Sequence, residues 1–439
     1  MESPRHPRAT WGTAMSRRDA LARTTLLSRD FVENDFTDDA IVAALSATSV
    51  CIVADAKNLS TVSGQGATTT LVALVLQMGC RVRLALPTID MSGHQPPLRG
   101  QELRGALIDY GNDLIPGAAI DVSGESTADD LVFVIGDTSW SGAAHDAWRV
   151  VGGRWWGGTC APQDEGRSWA TPFPIGALSA AAIAAAEVYK HAIRPLARLL
   201  VHDQLARVAT ATVCLGDESF EPADVDIGNV DCVSGGAIVQ AFCHALFRVP
   251  GVRGSLRVVE PERLDLTNLN RYALARHSLL ETEKTKVIAL WAPPALKVSE
   301  VNCRVDSEQH ARLGAFNPRV IVGTDDIPSR WFVQEQKPAW LAVGATTHFL
   351  AVSSEHARGL ACARCMHPRD DGVQATIPTV SFASYWGGLM LAARLVRHAA
   401  GRLHPIEEQA IWLPSLQLAG RFSQLRHRVQ RADGCDCAL

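Results

Sequence analysis

Short β-branched runs and longer small-residue stretches alternate along this chain, and they do so twice in the same order. In the first half, Ser49 to Asp55 (SVCIVAD) predicts a buried strand and Gly64-Gln65-Gly66 a glycine turn. Ala67 to Met78 then predicts a helix, and Arg81 to Leu86 (RVRLAL) a second strand. In the second half, Asn229 to Val233, Gly235-Gly236, Ala237 to Phe247 and Ser255 to Glu260 repeat the series. A strand, a glycine turn, a helix and a strand open a nucleotide-binding βαβ unit, because the turn lets phosphate approach the backbone at a helix N-terminus.

The parallel continues downstream. Asp130 to Gly136 (DLVFVIG) corresponds to Arg319 to Gly323 (RVIVG), each a buried strand ending in glycine, where open α/β sheets place their ligands. Each half then closes on a proline-led helix of small residues, Pro172 to Ile193 and Pro378 to His398. The expected fold is therefore α/β, with two Rossmann-like domains in pseudo-symmetric tandem. An N-terminal polar arm spans 1–40, the first domain 41–212 and the second 213–439. The join around Arg194 to Pro222 contains no long flexible linker, so the halves are expected to pack as one body.

Composition narrows the function classes. With 439 residues, 47% hydrophobic and 20% charged, the chain has ample core material and no signature of extensive disorder. A net charge of -4 gives no reason to expect a nucleic-acid partner. The N-terminus is polar and basic, without the apolar segment a signal peptide needs. The longest apolar run, Ile175 to Val188, is too short and too alanine-rich for a membrane span. A cytoplasmic location without membrane association is the expectation.

Candidate chemistry concentrates in the second half. Glu260 ends a strand where an acidic side chain can accept from ribose hydroxyls, and Glu262 follows. Asn268-Leu269-Asn270-Arg271 offers a guanidinium able to grip phosphate bidentately. Lys286 lies at the start of a predicted helix. Asp325 and Asp326 follow the strand at Val320 to Val322, placed to ligate nucleotide-bound Mg²⁺, with Arg330 beyond them. Singly, each has a plainer reading: a surface charge, a solvated helix face, or an N-cap. Near the C-terminus, Cys362 and Cys365 (CARC) and Cys435 and Cys437 (CDC) can offer four thiolates to one structural Zn²⁺, disulfides or chance being the alternative. Cys51, Cys214, Cys232 and Cys243 read as buried small hydrophobes.

Taken in order, these residues resemble the ThiF/MoeB superfamily of ubiquitin-like-protein activating enzymes. Ser234-Gly235-Gly236, Glu260-Pro261-Glu262, Thr267-Asn268-Leu269-Asn270-Arg271-Tyr272, Lys286, Thr324-Asp325-Asp326 with Arg330 and the four cysteines carry the resemblance over roughly 225–439. The first half matches only in its order of elements and resembles a degenerate adenylation domain. The resemblance implies ATP-dependent adenylation of a polypeptide C-terminus: the terminal carboxylate attacks the α-phosphate of Mg·ATP and pyrophosphate leaves. Gly235, Gly236, Glu260, Asn268 and Asn270 would hold the nucleotide. Arg271 and Lys286 would hold the phosphates and Asp325 the Mg²⁺, with Arg17 or Arg18 of the arm supplying a further cation. The implied partners are a ubiquitin-like protein as substrate and a conjugating enzyme as acceptor, with a homodimer left open. Adenylation of a precursor peptide in natural-product biosynthesis and a non-catalytic scaffold are the alternatives.

Three departures from the family pattern stand out. Val233 and Ile238 replace the first and last glycines of its G-x-G-G-x-G turn, narrowing the approach to phosphate and altering helix packing. Glu-Pro-Glu replaces Asp-x-Asp. The loop Met366 to Thr379 lacks the cysteine of thioester-forming members. That leaves direct transfer from the adenylate, an ester on Thr376, Thr379 or Ser381 with His367 the nearest histidine in sequence, or a thiol at Cys435, Cys437 or Cys303.

Overall fold

The computed structural model describes residues 17–122, 131–142, 146–167, 169–368, 377–403, 408–416, 420–421, 424–433 and 435. Two eight-stranded sheets form its scaffold. In the first, β1 (Ser49–Val53), β2 (Arg81–Ala85), β3 (Ile120–Val122), β4 (Leu131–Ile135) and β5 (Ala147–Gly152) are parallel, in the order β3-β2-β1-β4-β5. Antiparallel β6 (Trp156–Cys160) and β7 (Ala211–Cys214) extend it.

The second sheet repeats this plan strand for strand. Parallel β8 (Asp226–Val233), β9 (Arg253–Val259), β10 (Leu296–Val301), β11 (Arg319–Val322) and β12 (Trp340–Thr347) lie in the order β10-β9-β8-β11-β12. Antiparallel β13 (Leu350–Glu355) and β14 (Ala410–Pro414) follow. The eighth strands break the symmetry. β15 (Gly420–Arg421) crosses back to run parallel to β7 of the first sheet, whereas β16 (Leu425–His427) stays antiparallel to β14.

The buried runs of β-branched residues become central strands, as all five residues of β4 illustrate. Between the sheets lie the small-residue helices Val62–Gln77 and Ile175–Ile193 of the first half and Ala237–Leu246 and Ser381–Ala399 of the second. One large apolar cluster runs through both halves, with smaller clusters apart from it in each half. Ile175–Ile193 is buried all round except at His191, which explains its lack of a polar face. Ser381 Oγ donates to the Leu74 carbonyl at 2.8 Å and Gln77 Nε2 to that of Tyr272 at 2.9 Å, satisfying polar groups across the interface.

The lost last glycine of the turn finds its explanation here. Ile238 packs where Gly323, Gly344 and Gly387 leave room: Cβ atoms on those three would lie 3.2, 2.9 and 3.4 Å from its side chain. A Cβ on Gly388 would run into the Ile238 carbonyl, so the crossing of Ala237–Leu246 with Ser381–Ala399 depends on that glycine.

Two expectations are corrected. Gly64 and Gly66 form no turn; they lie inside the helix Val62–Gln77, which Thr61 caps by accepting from Gly64 N at 3.0 Å. Asp55 starts a separate helical turn, Ala56–Leu59, so the chain is already winding before it reaches the glycines. The polar arm is, in its described part, helical: Arg17–Ala20, Ala22–Ser28 and the start of Asp38–Ala47. Ala20, Leu21 and Leu27 are fully buried, because these residues complete the common core. Residues 1–16 lie outside the described residues. Among the described residues, no helix is long and apolar enough to cross a membrane.

Candidate functional site at the second switch point

The strand order of the second sheet reverses between β8 and β11, and the segments leaving β8, β9 and β11 converge there. After β8, Ser234 adopts φ 95°, a left-handed conformation costing a non-glycine residue on the order of 1 kcal/mol. Its hydroxyl offsets that by accepting from Gly236 N at 2.9 Å. Glu260, after β9, accepts from Gly235 N at 2.7 Å and from Glu262 N at 3.0 Å. Burial raises the pKa of this carboxyl, against the pull of Lys284 and the two backbone donors. Glu260 thus braces the turn. Helix Ala237–Leu246 starts from Gly236 without a side-chain cap, leaving its first N–H groups to other partners.

The two lysines of this segment are placed differently. Lys286 is exposed and pairs with Glu283 at 2.8 Å on the outside of helix Lys284–Ala289. Lys284 is the buried one, bonded to Glu262 and lying 5.4 Å from the Tyr272 ring centroid. A Cβ on Gly235 would sit 2.9 Å from Lys284 Cβ, so this lysine flanks the turn. Burial pulls its pKa down, but Tyr272, Glu260 and Glu262 outweigh burial and raise it, keeping the ammonium charged. Helical periodicity could have found it: Lys284 shares a face with buried Val287 and Ile288, whereas Lys286 shares one with exposed Leu290.

The Asn-Leu-Asn-Arg segment is held by its own amides. Asp265 and Asn268 form a reciprocal capping box, Asn268 Oδ1 accepting from Asp265 N at 3.0 Å. Asn270 donates to Thr24 Oγ1 at 2.9 Å and accepts from Arg271 Nη1 at 2.8 Å. Arg271 Nη1 also donates to the Thr267 carbonyl. Among the described residues Arg271 Nε and Nη2 have no partner, although the residue is only 9% exposed. Burial lowers its pKa and the like charge of Arg23 adds to this, while Tyr272, Asp325 and Asp265 oppose it.

Arg23 is the N-terminal cation near this site. It donates to the Ile377 carbonyl at 3.0 Å, while its own carbonyl accepts from Thr379 N. Arg17 and Arg18 lie elsewhere: Arg17 is tied to the Gly79 carbonyl, and Arg18 faces Asp38 and Asp39 at 3.5 and 3.4 Å. Helix Arg17–Ala20 packs beside Leu266–Asn268, but its two arginine side chains reach first-half residues, whereas half-buried Arg23 reaches Ile377, which a basic dipeptide could not foretell. Beyond β11, Asp326 caps helix Ile327–Glu335 by accepting from Ser329 N at 2.8 Å. Asp325 is exposed and, among the described residues, makes no hydrogen bond or ion pair, leaving its oxygens free for a cation. Arg330 donates to the Thr324 carbonyl and is spent on shaping this turn.

Cys362, Cys365 and Cys435 come together, with Cys362 Sγ 3.7 Å from Cys365 Sγ and 3.4 Å from Cys435 Sγ. Thiolates about 2.3 Å from a tetrahedral Zn²⁺ stand nearly that far apart, so the trio fits a zinc knuckle. Cys437 lies outside the described residues, as does Thr376. Of the hydroxyls, Thr379 and Ser381 are buried and bonded to Ser384 Oγ at 2.7 Å and to the Leu74 carbonyl, and among the described residues neither bonds to a histidine. His367 instead accepts from Arg330 Nη1, its pKa lowered to about 3 by burial and by that arginine. Cys303 is buried and its pKa raised, which removes thiolate character.

The equivalent point of the first half, between β1 and β4, is filled by its own side chains. Asn58 Nδ2 donates to Asp55 and Asp137 at 2.9 Å each and to Thr138 at 3.1 Å, and Lys57 pairs with Asp137.

Residues 49–198 match the family model described as the BilD N-terminal domain. A curated relative, "Uncharacterized protein y4jF" of Sinorhizobium fredii (strain NBRC 101917 / NGR234), is 33% identical over 150 residues, covering 33% of this chain. The chain spans only 28% of that protein's length. Similar solved structures include E. coli MccB with MccA-N7isoASN, at 14% identity and TM-score 0.40, covering 48% of this chain and 66% of that one. E. coli MccB with ATP covers 49% and 68%, at 14% identity and TM-score 0.39. SeMet PaaA covers 46% and 64%, at 12% identity and TM-score 0.35. Likeness at this level concerns fold alone.

Proposed function

We propose that this chain is an adenylating enzyme: at the second switch point it joins the C-terminal carboxylate of a polypeptide to the α-phosphate of ATP. A carboxylate oxygen bonds to the α-phosphorus, the bond to the β-phosphate oxygen breaks, and an acyl-adenylate and pyrophosphate result. An anion must approach a polyanion, so the step depends on fixed cations and donors around the phosphates. Arg271 with two unengaged N–H positions, Lys284 and Arg23 would supply that charge, in place of Lys286 and Arg17. Glu260 would hold the turn and meet the ribose, and Asp325 would hold Mg²⁺, which neutralises phosphate charge when bound. Cys362, Cys365 and Cys435, with Cys437 as fourth ligand, would hold Zn²⁺ as a structural clip.

The carrying observation is the convergence of free Arg271 donors, buried Lys284 and unpaired Asp325 on one switch point, while its twin is filled. A ubiquitin-like protein is the substrate that the sequence resemblance implies, with a conjugating enzyme as acceptor. A precursor peptide is the second reading, since the similar structure of the microcin C7 biosynthetic enzyme MccB was solved with N-formylated MccA. ATP–pyrophosphate exchange by the full chain, supplied with a diglycine-tailed ubiquitin-like protein or with a short peptide, separates them. Exchange with the folded protein alone supports the first and exchange with the peptide supports the second. A chain that binds no ATP is a scaffold. Asp325→Ala is expected to abolish exchange.

A further inference from the structure

The turn at the second switch point has used up its own donors. Ser234 N donates to the Val259 carbonyl, Gly235 N to Glu260, and Gly236 N to Ser234 Oγ. A glycine-rich cradle normally presents such N–H groups to phosphate. Here they close on the protein itself, so phosphate oxygens are left with the first N–H groups of the uncapped helix Ala237–Leu246 and with side chains beside them.

Tyr272 stands where such a donor is wanted. A Cβ on Gly236 would lie 3.6 Å from its hydroxyl, so Oη hangs over the residue at which the turn becomes the helix. The side chain is only 4% exposed and its backbone is pinned, its N donating to the Asn268 carbonyl and its carbonyl accepting from Gln77 across the interface. Its hydroxyl makes no hydrogen bond to the described residues and is not one of their enclosed unpartnered polar atoms, so Oη opens outward beside Gly236 while the ring is buried. The ring meanwhile lies 5.2 Å from the Arg271 guanidinium and 5.4 Å from the Lys284 ammonium, within cation–π reach of both. An aromatic held between two cations, with its hydroxyl unspent at a helix N-terminus, has the layout of an anion clamp.

We propose that Tyr272 is a phosphate-binding residue: its hydroxyl donates to a phosphate oxygen of a nucleoside triphosphate, taking over from the closed turn amides. The proposal rests on the adenylation reading above and adds the residue that would replace the lost cradle.

The test is calorimetric binding of ATP and of adenosine to the full chain and to Tyr272→Phe, which keeps the ring and its cation contacts and removes only the hydroxyl. A hydrogen bond to a charged group, when lost, lowers affinity about tenfold or more. The expected result is that loss for ATP, unchanged adenosine affinity and an unchanged thermal midpoint. Equal ATP affinity in the variant overturns the proposal, as does an equal loss for ATP and adenosine, which would mean the hydroxyl acts through the fold. A wild-type chain that binds no ATP overturns the adenylation reading and this proposal together, whereas wild-type binding with an unaffected variant removes Tyr272 alone.

Discussion

The two switch points of this molecule share a strand order and differ in what fills them. Between β1 and β4, Asp55, Asn58, Asp137, Thr138 and Lys57 bond to one another, with Asn58 Oδ1 left unpartnered among the described residues, and the glycines of that half are wound into a helix. Between β8 and β11, glycines remain in the turn, and Arg271, Asp325 and Tyr272 hold unspent polar groups. The difference teaches that one strand order can enclose either a self-bonded side-chain cluster or a set of unspent polar groups, without changing a strand.

The comparison breaks most sharply at the lysines. Lys284→Ala is expected to lower the ATP–pyrophosphate exchange rate by about 10²–10³-fold, the usual loss when a fixed transition-state donor is removed. Lys57→Ala at the filled switch point should stay within about twofold under the same assay, since no phosphate is handled there. Comparable losses in both would mean that the first half still binds nucleotide.

A second test concerns what ties the unlike halves together. Glu408 pairs with Arg397 at 2.6 Å and with Arg426, and those arginines also donate to the Leu215 and Cys214 carbonyls beside the first sheet. Burial tends to raise the Glu408 pKa, but Arg397, Arg426 and Arg394 outweigh it, leaving it below its usual 4.5. A depressed carboxyl contributes stability that is present above its unfolded pKa. That contribution is lost as pH falls through the folded value. Glu408→Gln should cost about 3 kcal/mol at neutral pH in chemical denaturation. The variant should also show a flatter stability profile below pH 4.5 than the wild type.

Smaller effects sharpen the packing side. Gly388→Ala forces a Cβ against the Ile238 carbonyl and should destabilise by about 2 kcal/mol in the same measurement. Lys286→Ala should leave exchange unchanged within about twofold, because that side chain is exposed and pairs only with Glu283 among the described residues.

Much of this was legible in the sequence. Both sheets follow the β-branched runs, since a strand buried on both faces has little freedom to be anything else. Glu260 and Asp325 fall at one switch point because each closely follows a strand end, whereas Asn268, Asn270 and Arg271 are held near it by the capping box at Asp265 and by Asn270's bond to Thr24. What escaped was orientation. Lys284 and Lys286 differ by two positions, about 200° around a helix, and only the burial of Val287 and Ile288 decides between them. Gly64 and Gly66 read as a turn because glycine permits one; the cap at Thr61 made them helical. Arg23 could not be picked from its basic neighbours before the docking of Ala22–Ser28 was known.

One crossing has a consequence in time. β15 pairs with β7 across some two hundred residues, and Thr24 meets Asn270 across 246. The first sheet therefore gains its eighth strand only after the strands of the second sheet up to β14 have been made, and helix Ala22–Ser28 waits for a partner made much later. Contacts so distant in sequence are slow to form, and the chain must hold open apolar surface meanwhile. Neither half is expected to fold as an independent unit when expressed alone, however complete its own βαβ pattern looks.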